Sequence, residues 1–321
     1  MESNNIWYAA FMKKIHERYQ KKTQLTKALM ELLSIEREAV YRRLRNEVSF
    51  TAHEVVTLAT AWNISLDEIM RVNVGKISFQ MRVINYLDPT EDESSFLRFV
   101  IQSINFLKYF PGTEFMDICN KLPRQLVAGY EYLNRFYLFK WAYQYGNTKD
   151  SVPFSNTIIS DEKRKITQDY YQAIKNVPNT NFVFDFNLFR YLINDIKYFC
   201  SIYLITETEK EFIKRDLLNL LDYLQEVAKK GYYPETQNRV NLYISQLKVP
   251  TGYSYTSTPE VNICYVHVFE KFQIFSFHSD MVTNFISWMQ QKKRTSIQIS
   301  EVDEKSRIEF FTSQRQLVES L

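Results

Sequence analysis

Glycine is scarce in this chain, 6 in 321 residues, and only 8 prolines accompany it. So few chain punctuators argue against a many-turned β architecture and for helices joined by short connections. The same scarcity leaves no room for a Gly-rich phosphate loop. Cysteine is also sparse. Cys119, Cys200 and Cys264 are odd in number, far apart and set among apolar neighbours, a pattern of reduced core residues in a cytosol rather than a disulfide framework. No CxxC or HExxH spacing occurs, and the four histidines, His16, His53, His267 and His278, are dispersed, so neither a zinc site nor any other cofactor is expected. Long apolar runs are missing as well. The stretch around Tyr198 to Thr206 falls far short of the roughly 20 residues that cross a bilayer, and the opening MESNNIWYAAFMKKI has no apolar core of a signal peptide. The expectation is a soluble cytoplasmic protein with no membrane association.

What is present is ordinary for a folded protein: 45% hydrophobic and 24% charged residues, which excludes wholesale disorder. The length fits two domains. The 22 Tyr and 24 Phe read as compositional bias rather than as a stacking platform. Trp7, Phe11 and Ile15 fall on one face of a helix from Ile6 to Tyr19. Helical periodicity breaks near Arg71 to Ile77, at the first glycine of the sequence, which sets a boundary between residues 1–75 and 76–321. A short extended link through Phe79 to Ile84 and a turn at Leu87 to Glu93 then lead into a helix with Phe96, Phe99, Val100, Ile104 and Leu107 inward. Helices are predicted over 130–145, 161–176, 185–204 and 207–230, the last with acidic residues first, Lys229 and Lys230 at its close and Gly231 as cap. These form a central helical bundle. After Tyr233 the texture changes: Val240 to Leu247, Val261 to Val268 and Phe272 to Phe277 read as strands, with PTGYSYTSTPE as a turn. A helix over Asp280 to Lys293, a strand over Thr295 to Ser300 and a terminal helix over Asp303 to Leu321 complete the chain. The fold class is therefore mainly α, with an N-terminal helical bundle, a central helical bundle and a small C-terminal α+β part holding a short mixed sheet, and a possible subdivision near 233.

The most informative stretch is 23–70. Leu25, Leu29, Leu32 and Leu33 keep helical spacing, Ser34 and Ile35 make a turn, and a second helix opens at Glu36 with Ala39, Val40 and Leu44 inward. Val55, Val56, Leu58, Ala59, Trp62, Ile64, Leu66 and Ile69 are expected to cover both. The outer face of the second helix carries Arg37, Tyr41, Arg42 and Arg45. From Arg37 to Arg45 the balance is 4 − 1 = +3, and Lys13, Lys14, Arg18, Lys21, Lys22 and Lys27 against Glu17 add 6 − 1 = +5, in a chain whose total is +3. Basic charge is thus concentrated here. The alternative is a structural corner with a solvated Arg face.

These residues resemble the Cro/repressor-type helix-turn-helix family of bacterial transcriptional regulators. The likeness is closest to a group whose recognition helix runs AVYRR followed by a branched apolar residue, here AVYRRLRNE from Ala39 to Glu47. NISLDEI, Asn63 to Ile69, is similar to the family's last helix. Two positions depart from the pattern: Ser34 stands where Gly is usual, and Met30 where a small Ala is usual. Looser similarities are DICNKLPRQLVAGYEYLNRFYLFKWAY, ending in Lys140-Trp141, and RTSIQIS followed by RIEFF.

The resemblance implies double-stranded DNA as partner. The recognition helix at about 36–47 would read bases in the major groove through Arg37, Tyr41, Arg42 and Arg45, with Lys27 and Arg43 on phosphates. One module reads too few base pairs, so a homodimer is expected, with residues 76–321 serving dimerisation, partner binding or effector sensing. A rival reading is a protein-interaction or scaffolding protein with a structural helix-turn-helix, and a third is an enzyme with an appended DNA-binding domain. Catalysis has little support. Cys264 and His267, three apart in a strand, point to opposite faces, and His267, His278 and Asp280 across neighbouring strands read as structural. The aromatics between Tyr130 and Tyr203 either fill the core or line an apolar pocket for a small-molecule effector.

Overall fold

The computed structural model describes residues 6–19, 21–62, 64–66, 69, 79–81, 90–145, 152–249, 252–268 and 272–321. The boundary expected at Arg71 to Ile77 and the turn at Leu87 to Glu93 lie largely outside them. The chain divides into two compact units, Met1–Ser78 and Phe79–Leu321. It is mainly α-helical, with one eight-stranded mixed sheet in the second unit.

Among the described residues, four helices of the first unit have defined bounds: α1 Ile6–Glu17, α2 Lys22–Leu33, α3 Arg37–Leu44 and α4 Ala52–Ala61. Each brings apolar residues at helical spacing to one core, Phe11 and Ile15 from α1, Leu25 and Leu29 from α2, Val40 from α3, Val55 and Leu58 from α4, closed by Phe50 and Trp62. α2 ends because Ser34 turns left-handed, at φ 53° and ψ 43°. That conformation suits glycine and strains a residue with a Cβ. The Tyr8 hydroxyl accepts from the Phe50 N–H at 2.9 Å and ties α1 to the loop before α4. Thr51 caps α4 reciprocally with Glu54.

The second unit opens with β1 Gln80–Met81 and α5 Thr90–Leu107, then β2 Glu114–Cys119, α6 Arg124–Val127, α7 Glu131–Tyr145 and α8 Asp161–Ala173. β3 Asn179–Asp185, α9 Arg190–Ser201, α10 Glu207–Lys230 and β4 Arg239–Ser245 follow. The chain ends with β5 Tyr253–Ser257, β6 Asn262–Val268, β7 Phe272–Ser276, α11 Ser279–Arg294, β8 Ile297–Gln298 and α12 Glu304–Glu319. The strand order is β1-β7-β6-β5-β2-β3-β4-β8. β2, β3 and β4 are parallel and adjacent, while β5 returns antiparallel on the far side of β2.

Alternate residues of the parallel strands serve two cores. Phe182, Phe184, Val240, Leu242 and Ile244 face α7, α9, α10 and α12, whereas Met116, Ile118, Val183 and Tyr243 face α11. With both faces covered, even polar residues of these strands such as Thr180, Asn181 and Asn241 are buried, so burial follows no polar–apolar alternation. This corrects the expected central helical bundle: two strands interrupt its sequence, β2 and β3, and its helices are crossovers packed on the sheet. It also enlarges the expected short C-terminal sheet, because β5 occupies what reads as turn, and Asn179–Asp185 precedes the helix expected from 185. Within α5, Phe96, Val100, Ile104 and Leu107 of the expected inner stripe are half-buried, Leu97 is buried beside them, and Phe99 alone of the five is exposed. α10 starts on a Thr206–Glu209 capping box and stops at Gly231, φ 74°.

Two buried groups hold the helical layer. Asp216 of α10 accepts the Tyr132 N–H at 2.7 Å and so caps the first turn of α7 from another helix. Lys175, 2% exposed, reaches Glu235 at 2.6 Å and lies 3.9 Å from the Tyr171 ring centroid.

Candidate nucleic-acid interface

α3 is eight residues long and is held from behind at two points. Val40 is fully buried in the core of the first unit. Three residues on, Arg43 turns inward too: its Nε donates to Glu54 Oε2 at 3.1 Å, Nη2 to Glu54 Oε1 at 2.7 Å and Nη1 to the Ala39 carbonyl at 3.2 Å. Both partners of this fork are largely screened from water, with side chains 14% and 11% exposed. Burial pushes the Glu54 carboxyl up, but the hydrogen bonds from Arg43 and Thr51 outweigh it and hold the group below its usual value. The second oxygen of Glu54 also receives the Thr51 N–H at 2.8 Å. One carboxylate thus caps α4 and pins α3, and the Arg43 guanidinium is engaged as a clamp rather than presented to a phosphate.

The remaining cations of α3 point outward. Arg37, Arg42 and Arg45 are exposed and Tyr41 is half-buried. Arg37 donates through Nε and Nη2 to the Tyr41 hydroxyl, at 3.1 and 2.9 Å, and lies over its ring. Arg45, just past the helix, pairs with Glu47 at 2.8 Å and Glu38 at 3.3 Å. Pairs this exposed stabilise little and exchange readily for another acceptor. The Arg42 guanidinium has no ion-pair or hydrogen-bond partner among the described residues. Lys27 sits on α2, its side chain 81% exposed and 3.8 Å from Glu31. The structure therefore brings Arg37 and Tyr41 together as one unit, leaves Arg42 beside them and separates Arg43 from the set.

The chain matches no family model, no curated protein and no solved structure.

Sequence reasoning missed Glu54, although Thr51 and Glu54 have the spacing of a capping box and so were findable. Elsewhere, the His267 ring meets Gln273 across the β6–β7 pair, and His278 precedes the first turn of α11. Burial lowers the His267 pKa to about 4, so the ring is neutral at physiological pH. Among the described residues, no group of three His, Cys, Asp or Glu is placed to hold a metal ion. The three cysteines are unbridged. No described helix is long and apolar enough to cross a membrane.

Proposed function

We propose that the protein is a sequence-specific DNA-binding transcriptional regulator of the Cro/repressor helix-turn-helix type, acting in the cytoplasm, with α3 as its recognition helix. The observation that carries this reading is the division of labour on α3: Val40 and Arg43 anchor it while Arg37, Tyr41, Arg42 and Arg45 face out. A rigid short helix presenting guanidinium groups suits the major groove, where Arg makes paired hydrogen bonds to guanine O6 and N7. Tyr41, held by Arg37, is placed to meet a thymine methyl or a phosphate. Lys27 and the exposed lysines of α1 and the α1–α2 connection supply sequence-independent attraction to the backbone.

One such helix reads only a few base pairs. The reading therefore includes a homodimer that places two recognition helices about 34 Å apart on a pseudo-palindromic site. Selection of bound duplexes from a random pool tests it. A recovered motif with two half-sites one helical turn apart is the expected result, and a pool that stays random leaves the helix-turn-helix as a structural corner.

A further inference from the structure

The parallel strands of the second unit end side by side. β2, β3 and β4 run in matched register, from Glu114, Asn179 and Arg239 to Cys119, Phe184 and Ile244. The chain then leaves β4 and begins β5, beyond β2, at Tyr253 opposite Ile118. It must therefore cross the carboxyl ends of β3 and β2. Val249 is the pinned point of that crossing: its N–H donates to Asp185 Oδ2 at 2.9 Å and its carbonyl accepts from Asn120 Nδ2 at 3.3 Å. Open α/β sheets bind ligands at such carboxyl ends, where the strand order changes direction.

Two cavities lie there. One, of about 380 Å³, is walled by Leu133, Phe136, Tyr137 and Trp141 of α7 and by Tyr191 and Leu192 of α9. The other, of about 320 Å³, is lined by Asp185, Asn187, Gln246 and Lys248. Asn120 and Tyr191 line both, so an aromatic compartment and a polar one meet at these two residues. Lys140 and Asp195 close the aromatic side with a 2.8 Å ion pair. Across both cavities the charges are Lys121, Lys140 and Lys248 against Asp185 and Asp195, 3 − 2 = +1. The Asp185 oxygens are each occupied by a backbone N–H, from Asn187 and Val249. Lys248 is exposed and has no ion-pair partner among the described residues. α9 also begins here, on a cap residue, Phe189, that supplies no side-chain hydrogen bond, which adds its positive end to the polar compartment.

We infer that this cleft binds a small anion carried on a planar ring, the size of a mononucleotide or an aromatic carboxylate. The ring enters among Phe136, Tyr137 and Trp141, and the anion sits by Lys248 with Tyr191 between them. Clefts of about 300 to 1,000 Å³, mostly apolar with a few placed polar groups, are the usual form of such sites. The inference does not depend on DNA reading by the first unit, and its test uses no DNA.

The test is calorimetric titration of the full chain with three probes: AMP, indole-3-acetate and inorganic phosphate. Saturable binding of AMP or of indole-3-acetate is expected, with phosphate alone at least about tenfold weaker because it brings no ring. AMP alone binding identifies a phosphate-bearing ring, and indole-3-acetate alone a carboxylate. Lys248→Ala and Tyr191→Ala remove exposed side chains and should each weaken the bound probe about tenfold without changing the circular dichroism. The inference is overturned if neither ring probe binds at millimolar concentration, if phosphate binds as tightly as AMP, or if both variants bind like the wild type.

Discussion

The first unit, residues 1–78, holds 12 Lys and Arg against 9 Asp and Glu, 12 − 9 = +3, whereas residues 79–321 hold 28 of each. All of the chain's net charge therefore lies in its smaller unit. The two units also treat a buried carboxyl differently. Glu54 is surrounded by donors, from Arg43 and Thr51. Asp117, in the middle of β2 and 1% exposed, receives only the Gln125 amide at 2.9 Å, and its Oδ1 has no partner. Glu54 is held ionised and aims a helix, whereas Asp117 is short of donors and its ionisation costs stability. Their responses to acid should be opposite in sign.

The largest effect is expected at Asp117. Burial raises its pKa from 3.8 to about 7, against a lowering by Gln125. Between those values the folded chain keeps a proton that the unfolded chain has lost, so stability falls as pH rises through this window and is fully present below it. Asp117→Asn should abolish that dependence and raise stability at pH 8, by about 4 kcal/mol at most at 1.36 kcal/mol per pKa shift of one. Thermal unfolding at pH 5 and pH 8 checks it; a variant no more stable than the wild type at pH 8 breaks the contrast.

Glu54→Ala comes next. Its pKa lies below the usual 4.5, so its contribution is present above that value and is lost as pH falls through the folded one. Losing the cap and the Arg43 clamp together should cost the first unit about 2 to 3 kcal/mol at neutral pH and little in acid. Urea denaturation followed by a probe in the first unit, at neutral and acid pH, reads this directly.

Arg42→Ala should leave stability unchanged and weaken DNA binding by about 1 to 3 kcal/mol while relaxing sequence preference. Lys27→Ala should weaken all sequences alike and reduce the salt slope by about one. Competition between a selected duplex and bulk DNA separates the two; identical behaviour of both variants contradicts the assignment of base and phosphate roles. The smallest effect is Ser34→Gly. Removing a Cβ from the left-handed residue at φ 53° should stabilise the first unit by about 0.5 to 1 kcal/mol, after the added chain entropy of glycine is subtracted. A fall in its melting temperature argues against strain at this turn.

Elements whose signals are local were legible in the sequence. α10 announced itself through its acidic start, Lys229, Lys230 and Gly231, and the α2–α3 turn through Ser34, Ile35 and the leucine spacing. β2 and β3 were not legible. NTNFVFD, the β3 sequence, is buried along nearly its whole length and mixes Thr180 and Asn181 with Phe182 and Phe184, so neither alternation nor an apolar run marks it. The outward face of α3 could be read from spacing, but the fate of Arg43 depended on Glu54 in another helix. The cleft was further out of reach, because Asn120, Asp185 and Lys248 lie at or just past the ends of three different strands and meet only through the topology of the sheet.

The central claim is that α3 reads duplex DNA, and fluorescence anisotropy of a labelled duplex titrated with the full chain over a salt series tests it most directly. The account predicts binding at about 50 mM salt whose logarithm falls linearly with the logarithm of salt concentration, with a slope of several counterions. Absence of any affinity at low salt, with the chain folded by circular dichroism, contradicts it.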